Sequence, residues 1–467
     1  MAKLGLRRYL GVVEIAGSNP VAPILIKKEK MNHSEPKEIG IGLIGLGTVG
    51  SGVVKTLQAR ASSIARETGV KLVLRRVCVR SLNKKRAVKV PKNILTARPE
   101  TVIDDPQVEI LIELAGGIHP AKEWIEKAFA LKKHVVTANK ALLAEKGKSV
   151  YLAARVHRRR LGFEASVCGG IPILRAIREG LASDNVTHFL GIVNGTCNYI
   201  LTEMSQKGLS FSKSLSEAQQ KGYAEANPAL DVDGVDSAHK LAVLSRLAFQ
   251  AEVDFKKIYV EGIRRITAAD IVYAKELGYV IKLLVIGKKK EKGLELRVHP
   301  TLLPLDHPLS SVRGVYNAVY VHGDHTGDLL FYGRGAGMMP TASAVMSDVI
   351  EIAQDMTKGL DAMRSSWGNE PSAMKILPIG DLVSKYYLRF QVKDKPGVLG
   401  SIAKILGDNK ISILSVHQKD SLGSRSVPVV ILTYEAKESD IRRALQKIDS
   451  SPDTQEKTQL IRVEALI

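Results

Sequence analysis

The densest chemistry in the chain lies between Gly222 and Leu247. The stretch GYAEANPALDVDGVDSAHKLAVLSRL puts Glu225, Asp231, Asp233 and Asp236 at the mouth of an apolar helix and Lys240 on that helix. Asp236 and Lys240 are four apart, so they share one helical face. Carboxylates facing a common opening hold a cationic ligand through charge-assisted hydrogen bonds. A lysine on an apolar helix can move a proton, because desolvation disfavours its charged form and lowers its pKa. The plainer alternative is a helix start whose acids complement the dipole, with Asp236 and Lys240 as a surface pair. That alternative leaves Glu225 and Asp231 unexplained. Asp233 reads as a turn residue or N-cap.

Such a site needs elements to serve it, and the upstream sequence supplies them. IGIGLIGLGTVGSGVV, residues 39–54, is a short apolar strand followed by G-x-G-x-x-G. Gly45 permits the tight turn, Gly47 lets backbone approach a pyrophosphate, and Gly50 packs helix on strand. Thr48 and Val49 open a helix predicted over 48–68, whose first N–H groups point at the phosphates. A second strand over 70–80 ends in Arg80, with Lys84 and Lys85 close behind and no carboxylate between Val70 and Val90. A ribose 2′-phosphate meets cations there, which favours NADP over NAD, with NAD possible. The alternative is that Arg80 tops a solvated turn. KHVVTANKALLAE, 133–145, reads strand, turn, helix, and puts Lys140 just past a strand's C-terminal end, where ligands lie in open α/β sheets. Glu164 precedes a glycine-rich turn that opens a helix.

The motifs GLGTVG, TANK, EASVCGGIP, GIVNGTCNYIL, GYAEANPALDVDGVDSAHK and YGRGAGMMPTASAV occur in order over residues 39–374, and together they resemble homoserine dehydrogenase. The resemblance implies reversible hydride transfer between NAD(P)H and L-aspartate 4-semialdehyde, giving L-homoserine, in threonine, methionine and isoleucine biosynthesis. It implies Lys240 as the acid/base and Lys140 near nicotinamide and substrate. Glu225 and Asp236 would bind the substrate, and Asp231 would orient Lys240. Gly222 and Gly335 would touch the cofactor. It also implies a monovalent metal ion, sodium by preference, held by Glu164 with the backbone carbonyls of Val167, Gly169 and Ile171. Oxygen ligands suit a hard cation. The alternative for Glu164 is a carboxylate bonded to loop amides. Phosphoglycerate and prephenate dehydrogenases lack the NGTCNYIL and DVDGVDSAHK stretches. Intact Lys140, Glu225, Asp236 and Lys240 argue against an inactive sensor. No aspartate kinase segment is expected before residue 39.

The tail reads strand, helix, strand, strand, helix, strand, the split ferredoxin-like pattern. Its D-x-P-G-V-L at 394–399 resembles an ACT domain. That likeness implies threonine as effector near Asp394 and Gly397, pairing with residues 409–412; the alternative is a purely oligomerising domain. The expected fold class is α/β. A Rossmann nucleotide-binding domain spans 38–163 and is completed by 332–375 as helices. An α+β substrate and dimerisation domain spans 164–331, and the ACT domain spans 386–467. A homodimer or homotetramer follows.

Composition limits the rest. Apolar content of 45% and charged content of 25% are those of a globular protein. No apolar run reaches membrane-spanning length. The 68 basic and 48 acidic residues leave a net charge of +20, but the basic runs are short, separate and free of aromatics. They read as solvated surface and not as a nucleic-acid site. Cys78, Cys168 and Cys197 fit no metal pattern and suit free thiols in a reducing cytoplasm. Residues 1–37 show no periodicity and are expected to be disordered or mis-annotated. GSNPVAP, 17–23, back-translates to DNA like a transfer-RNA T-arm, so the chain is expected to start at Met31, with 1–30 an upstream misread.

Overall fold

The computed structural model describes residues 36–360, 371–419 and 426–464. The expected start at Met31 therefore lies outside the described residues.

The first unit follows from alternation of short apolar strands with amphipathic helices. Strand β1 (Lys37–Ile44) turns into helix α1 (Thr48–Thr68), which returns to β2 (Val70–Cys78). The second strand thus stops two residues short of Arg80, which is exposed beyond it. Strands β3 (Leu95–Thr96), β4 (Ile110–Glu113), β5 (His134–Thr137) and β6 (Leu161–Gly162) complete a six-stranded sheet. Its order is β3-β2-β1-β4-β5-β6, all parallel, with the strand order switching sides between β1 and β4. Helix α2 (Ala121–Ala130) precedes β5, and α3 (Lys140–Val156) follows it.

The second unit is built on β7 (Val186–Ile192), helices α4 (Gly195–Lys207), α5 (Phe211–Gln220) and α6 (Val235–Ala248), and strands β8 (Tyr279–Lys290), β9 (Gly293–Pro304), β10 (Tyr316–Gly323) and β11 (Gly327–Arg334). Leu241, Val243 and Leu244 of α6 are almost wholly buried. Each such side chain contributes on the order of 1.5–3 kcal/mol, which holds α6 firmly against the sheet. Helix α7 (Met338–Thr357) then returns to the first unit and packs on α1, with Val345, Val349 and Ile352 in that core. One helix makes the return among the described residues.

The tail forms β12 (Val383–Lys393), α8 (Val398–Asp408), β13 (Ile413–Gln418), β14 (Ser426–Thr433), α9 (Glu438–Asp449) and β15 (Thr454–Val463). The order β15-β12-β14-β13 is ferredoxin-like. Sequence spacing does not reveal that this sheet is continuous with the second unit's. Strand β15 lies parallel to β9, with Arg462 opposite Thr301 and Val463 opposite Leu302. The resulting mixed sheet has eleven strands among the described residues: nine follow the path β11-β10-β7-β8-β9-β15-β12-β14-β13, and two short ones pair with β12 and β9 off that path.

Candidate active site

The phosphate-binding turn follows β1. Gly45 has φ +101°, and a Cβ there would meet the Leu114 carbonyl at 2.6 Å. A Cβ at Gly47 meets nothing within 4 Å, so the backbone is open to a ligand there. Helix α1 begins with no side-chain cap and no acid in its first turn. Its unpaired N–H groups and positive end suit a diphosphate. Arg80, Lys84 and Lys85 are exposed beyond β2.

At the ends of β4 and β5 a buried carboxylate organises the next two turns. Glu113 accepts from the Ala115 and Gly116 amides at 2.8 and 3.0 Å and from the Thr137 hydroxyl at 2.7 Å. Asn139 donates to the Gly117 carbonyl at 2.6 Å, and its oxygen caps α3 through Leu142. These bonds fix the start of α3, whose first residue is Lys140. Sequence reasoning passed over Glu113; its one signal was an acid closing an apolar strand before Ala115–Gly117.

Lys140, Asp236 and Lys240 meet although they come from two units. Asp236 Oδ1 lies 2.8 Å from Lys140 Nζ, and Oδ2 lies 2.7 Å from Lys240 Nζ. Lys240 also donates to the Val193 carbonyl at 2.7 Å. The surface-pair alternative fails, since the Asp236 and Lys240 side chains are only 8% and 11% exposed. Asn194, which caps α4 through Cys197, donates to Asp231 at 2.7 Å and to Asp236 at 2.9 Å. Asp231 is thus linked to Asp236 through Asn194 and reaches Lys240 by its charge, with no direct bond to it among the described residues. Asn194 was not singled out from sequence, although an Asn after a strand and before a helix is a standard cap.

The expected depression of the Lys240 pKa is not found. Burial does pull it down, but the charges of Asp236, Cys168 and Asp231 and the Asp236 hydrogen bond outweigh burial, and the net shift is upward. Burial raises Asp236, yet Lys240 and Lys140 override it and hold the carboxyl well below the usual range. Asp231 shifts upward, through burial first and the Asp236 charge as well. Burial pushes the Cys168 thiol up to about 11, and all three cysteines are free.

Glu225 lies on the exposed loop after α5, and its carboxylate has no partner among the described residues. That loop is tied to α4 by the Thr196 hydroxyl, 2.7 Å from the Tyr223 carbonyl. Gly222, at φ +72°, is exposed on the same loop. Asp233 stands apart. It sits in the turn before α6, paired with Arg264, and Gly234 takes the N-cap position.

Glu164 bonds backbone amides, those of the short helix that opens after the glycine-rich turn and not those of the loop itself. Its oxygens accept from Leu174 at 3.0 Å and Arg175 at 2.8 Å. Burial, then the Asp348 charge, pushes it to about 7. The carbonyls of buried Val167 and Gly169 accept no hydrogen bond among the described residues, while that of Ile171 accepts from Ile173 at 2.8 Å. Two buried orphan carbonyls beside a carboxylate fit a hard monovalent cation. No group of three His, Cys, Asp or Glu placed for a metal occurs among the described residues. A Cβ on Gly169 would meet the Gly335 carbonyl at 2.6 Å, so the loops carrying these glycines pack directly together.

In the tail, Asp394 is exposed and Gly397 stands before α8 at φ +89°. Residues 409–412 lie at the other end of α8, which spans roughly 16 Å at 1.5 Å per residue. One small ligand cannot bridge both ends within a single chain.

The same arrangement appears in known proteins. Residues 45–164 match the NAD-binding domain of homoserine dehydrogenase, 172–350 the homoserine dehydrogenase family itself, and 386–453 the ACT domain. A homoserine dehydrogenase of Neisseria gonorrhoeae is 42% identical over 433 residues, covering 92% of this chain and 99% of that one. Its counterpart in Synechocystis is 44% identical over 436 residues, covering 91% and 99%. The crystal structure of a homoserine dehydrogenase from Thiobacillus denitrificans superposes with a TM-score of 0.86 at 42% identity, covering 92% and 99%. The chain belongs to the homoserine dehydrogenase family. The enzyme is therefore an NAD(P)-dependent oxidoreductase with a parallel nucleotide-binding sheet, a mixed-sheet substrate domain and a C-terminal ACT domain. No helix of the described residues is long and apolar enough to cross a membrane.

Proposed function

We propose that the enzyme interconverts L-homoserine and L-aspartate 4-semialdehyde with NADP as preferred nucleotide and Lys240 as the group that moves the proton. The observation that carries this reading is Asp236, gripped on one oxygen by Lys140 and on the other by Lys240. The nicotinamide, when bound, would supply the hydride chemistry at C4 of the amino acid. Lys240 Nζ takes the hydroxyl proton as the carbonyl forms, and returns it to the carbonyl oxygen in reduction. Glu225 and Asp236 hold the substrate's ammonium and hydroxyl groups. Asp231 steadies Asp236 through Asn194, and Lys140 stands between nucleotide and substrate. Gly45, Gly47, Thr48, Val49 and Gly50 receive the diphosphate, Gly222 and Gly335 flank the nucleotide, and Arg80 meets the 2′-phosphate. The test is homoserine oxidation with NADP and NAD in parallel. NADP should win clearly, and equal rates at equal subsaturating concentrations would reject the preference.

The pH dependence follows from the Lys240 charge. Its pKa is raised, so the ligand-free enzyme holds the acid form that reduction consumes. Oxidation consumes the base form. Homoserine oxidation should therefore climb as pH rises above neutrality, and reduction should not. An oxidation rate flat from neutral into alkaline pH would take Lys240 out of the proton path.

Three further roles belong to the same reading. Glu164 with the Val167, Gly169 and Ile171 carbonyls would hold a sodium ion, which would supply positive charge to the loop that packs on Gly335. Threonine acts as feedback effector at Asp394 and Gly397 of one subunit and residues 409–412 of a second. This requires at least a homodimer, because α8 keeps the two groups apart in one chain. The setting is cytoplasmic synthesis of threonine, methionine and isoleucine. A threonine titration of activity, run with sedimentation, tests the effector and the assembly together.

A further inference from the structure

Hydride transfer demands that the nucleotide and substrate units, which share one apolar core containing Leu142, Leu143, Leu241 and Ala242, hold their ligands in one geometry, since an error of about 1 Å costs up to roughly 10²-fold in rate. Helix α3 belongs to the nucleotide unit and begins at Lys140. Helix α6 belongs to the substrate unit and carries Asp236 and Lys240. The Lys140–Asp236 contact crosses between them, but Lys140 is 41% exposed and its acid must also serve the substrate.

A second crossing lies farther along the same two helices. His239, the residue before Lys240, places Nε2 3.2 Å from Glu145 Oε1 on α3. The His239 side chain is 9% exposed, and its ring stacks on Phe255 at 4.6 Å between centroids. Farther on, the Arg246 guanidinium of α6 lies 4.3 Å over the Tyr151 ring of α3. The groups acting on the imidazole are Glu145, Asp236 and Lys140. Burial lowers its pKa, so at neutral pH the contact is a neutral N–H donating to a carboxylate.

We propose that Glu145 and His239 are positioning residues that set the register of α3 on α6, and through it the placement of Lys140 and Lys240 about Asp236. The pair touches no reacting atom; it acts through the helices. The proposal rests on the roles given above to the two lysines.

The experiment compares Glu145→Ala, Glu145→Gln, His239→Phe and the Glu145→Ala/His239→Phe double variant in full-length enzyme. Glu145→Gln keeps an acceptor for the imidazole N–H, and His239→Phe keeps the stack on Phe255. Glu145→Ala and His239→Phe should each lower kcat for homoserine oxidation by about tenfold, a fraction of the loss that a full 1 Å error brings. The primary isotope effect with homoserine deuterated at C4 should rise, and nucleotide Kd should stay unchanged. Glu145→Gln should stay near wild type, and the double variant should be no worse than either single one. Unchanged kcat in Glu145→Ala, failure of Glu145→Gln to restore it, losses that multiply in the double variant, or an equal loss of nucleotide binding would each overturn the proposal. Lys240→Ala run alongside separates the two readings. If Lys240→Ala keeps turnover, the lysine assignment fails; if it loses turnover while Glu145→Ala does not, only the positioning role fails.

Discussion

Asp236 and Glu464 are both buried carboxylates gripped by two cations, and they do opposite jobs. Asp236 divides its oxygens between Lys140 and Lys240. Glu464 divides its own between Lys288 and Arg297, the latter at 2.9 Å. In both, burial pushes the carboxyl pKa up, and the paired cations overcome it and hold the acid ionised. The surroundings differ. Lys140 is 41% exposed, Asn194 links Asp236 to a second acid, and Glu225 on the nearby loop has no partner among the described residues. The cations on Glu464 are 8% and 4% exposed, and its backbone N–H pairs with Leu302 across the β9–β15 junction. Similar electrostatics thus give a structural seam in one place and a site in the other. What makes the site is access and an acid left unmatched.

The comparison is broken most severely at the seam. Glu464→Leu strands the Lys288 and Arg297 charges in a buried place. Removing one partner of such a group costs about 3–5 kcal/mol. Urea unfolding followed by circular dichroism should show that loss, while kcat of the folded enzyme stays near wild type. The wild-type contribution also has a fixed pH sign. The folded-state pKa of Glu464 is lowered, so its stabilisation is complete above the ordinary carboxylate pKa and disappears as pH falls through the folded value. A variant as stable as wild type would show that the seam is not held by this group.

At the site the expected loss is in rate. Lys240→Ala should lower turnover by roughly 10²-fold or more, because it removes the proposed proton carrier. Homoserine binding should change less. Stability should fall less than for Glu464→Leu, since Asp236 keeps Lys140 and Asn194. Near-wild-type turnover would make the lysine pair a second seam.

The two regions were unequally legible in the sequence, for a physical reason. Gly45, Gly47 and Gly50, the span of α1, and the i,i+4 pair of Asp236 and Lys240 depend on local spacing, and local spacing carries them. The tail's strand and helix order was legible on the same ground. The contact of Lys140 with Asp236 joins different units, so no periodicity encodes it. The pairing of β9 with β15 and the clasp of Glu464 on β8 and β9 are equally nonlocal. The Lys240 charge was misjudged because spacing shows both the apolar helix and the Asp236 partner but not which of the two effects wins, and the added charge of Asp231 acts through space. Asn194 was legible as a cap but not as the bridge between two acids.

A smaller effect is expected at the unmatched acid. Glu225→Leu removes a free carboxylate from an exposed loop, so folding should be untouched. KM for homoserine should rise by about tenfold through loss of a charge-assisted bond, with nucleotide affinity preserved. If nucleotide binding collapsed and KM stayed put, the loop would belong to the cofactor.

An effect of similar size, but confined to one nucleotide, is expected at Arg80, an exposed part of the proposed site. Arg80 lies beyond the end of β2, and Lys84 and Lys85 share its open surface. A 2′-phosphate carries about two negative charges, so it gains from each cation within reach. Arg80→Asp replaces an attraction with a repulsion at the position where an NAD-preferring fold tends to carry an acid. NADP affinity should fall by about tenfold, while NAD affinity holds or improves. The loss should shrink at high salt, because salt screens an ion pair formed on an exposed surface. This separates Arg80 from Asp236, whose buried contacts salt hardly reaches. Equal losses for both nucleotides would mean that Arg80 supports the turn after β2 and reads no phosphate. A loss independent of salt would mean that the nucleotide, once bound, buries Arg80 and turns an exposed cation into a third covered pair.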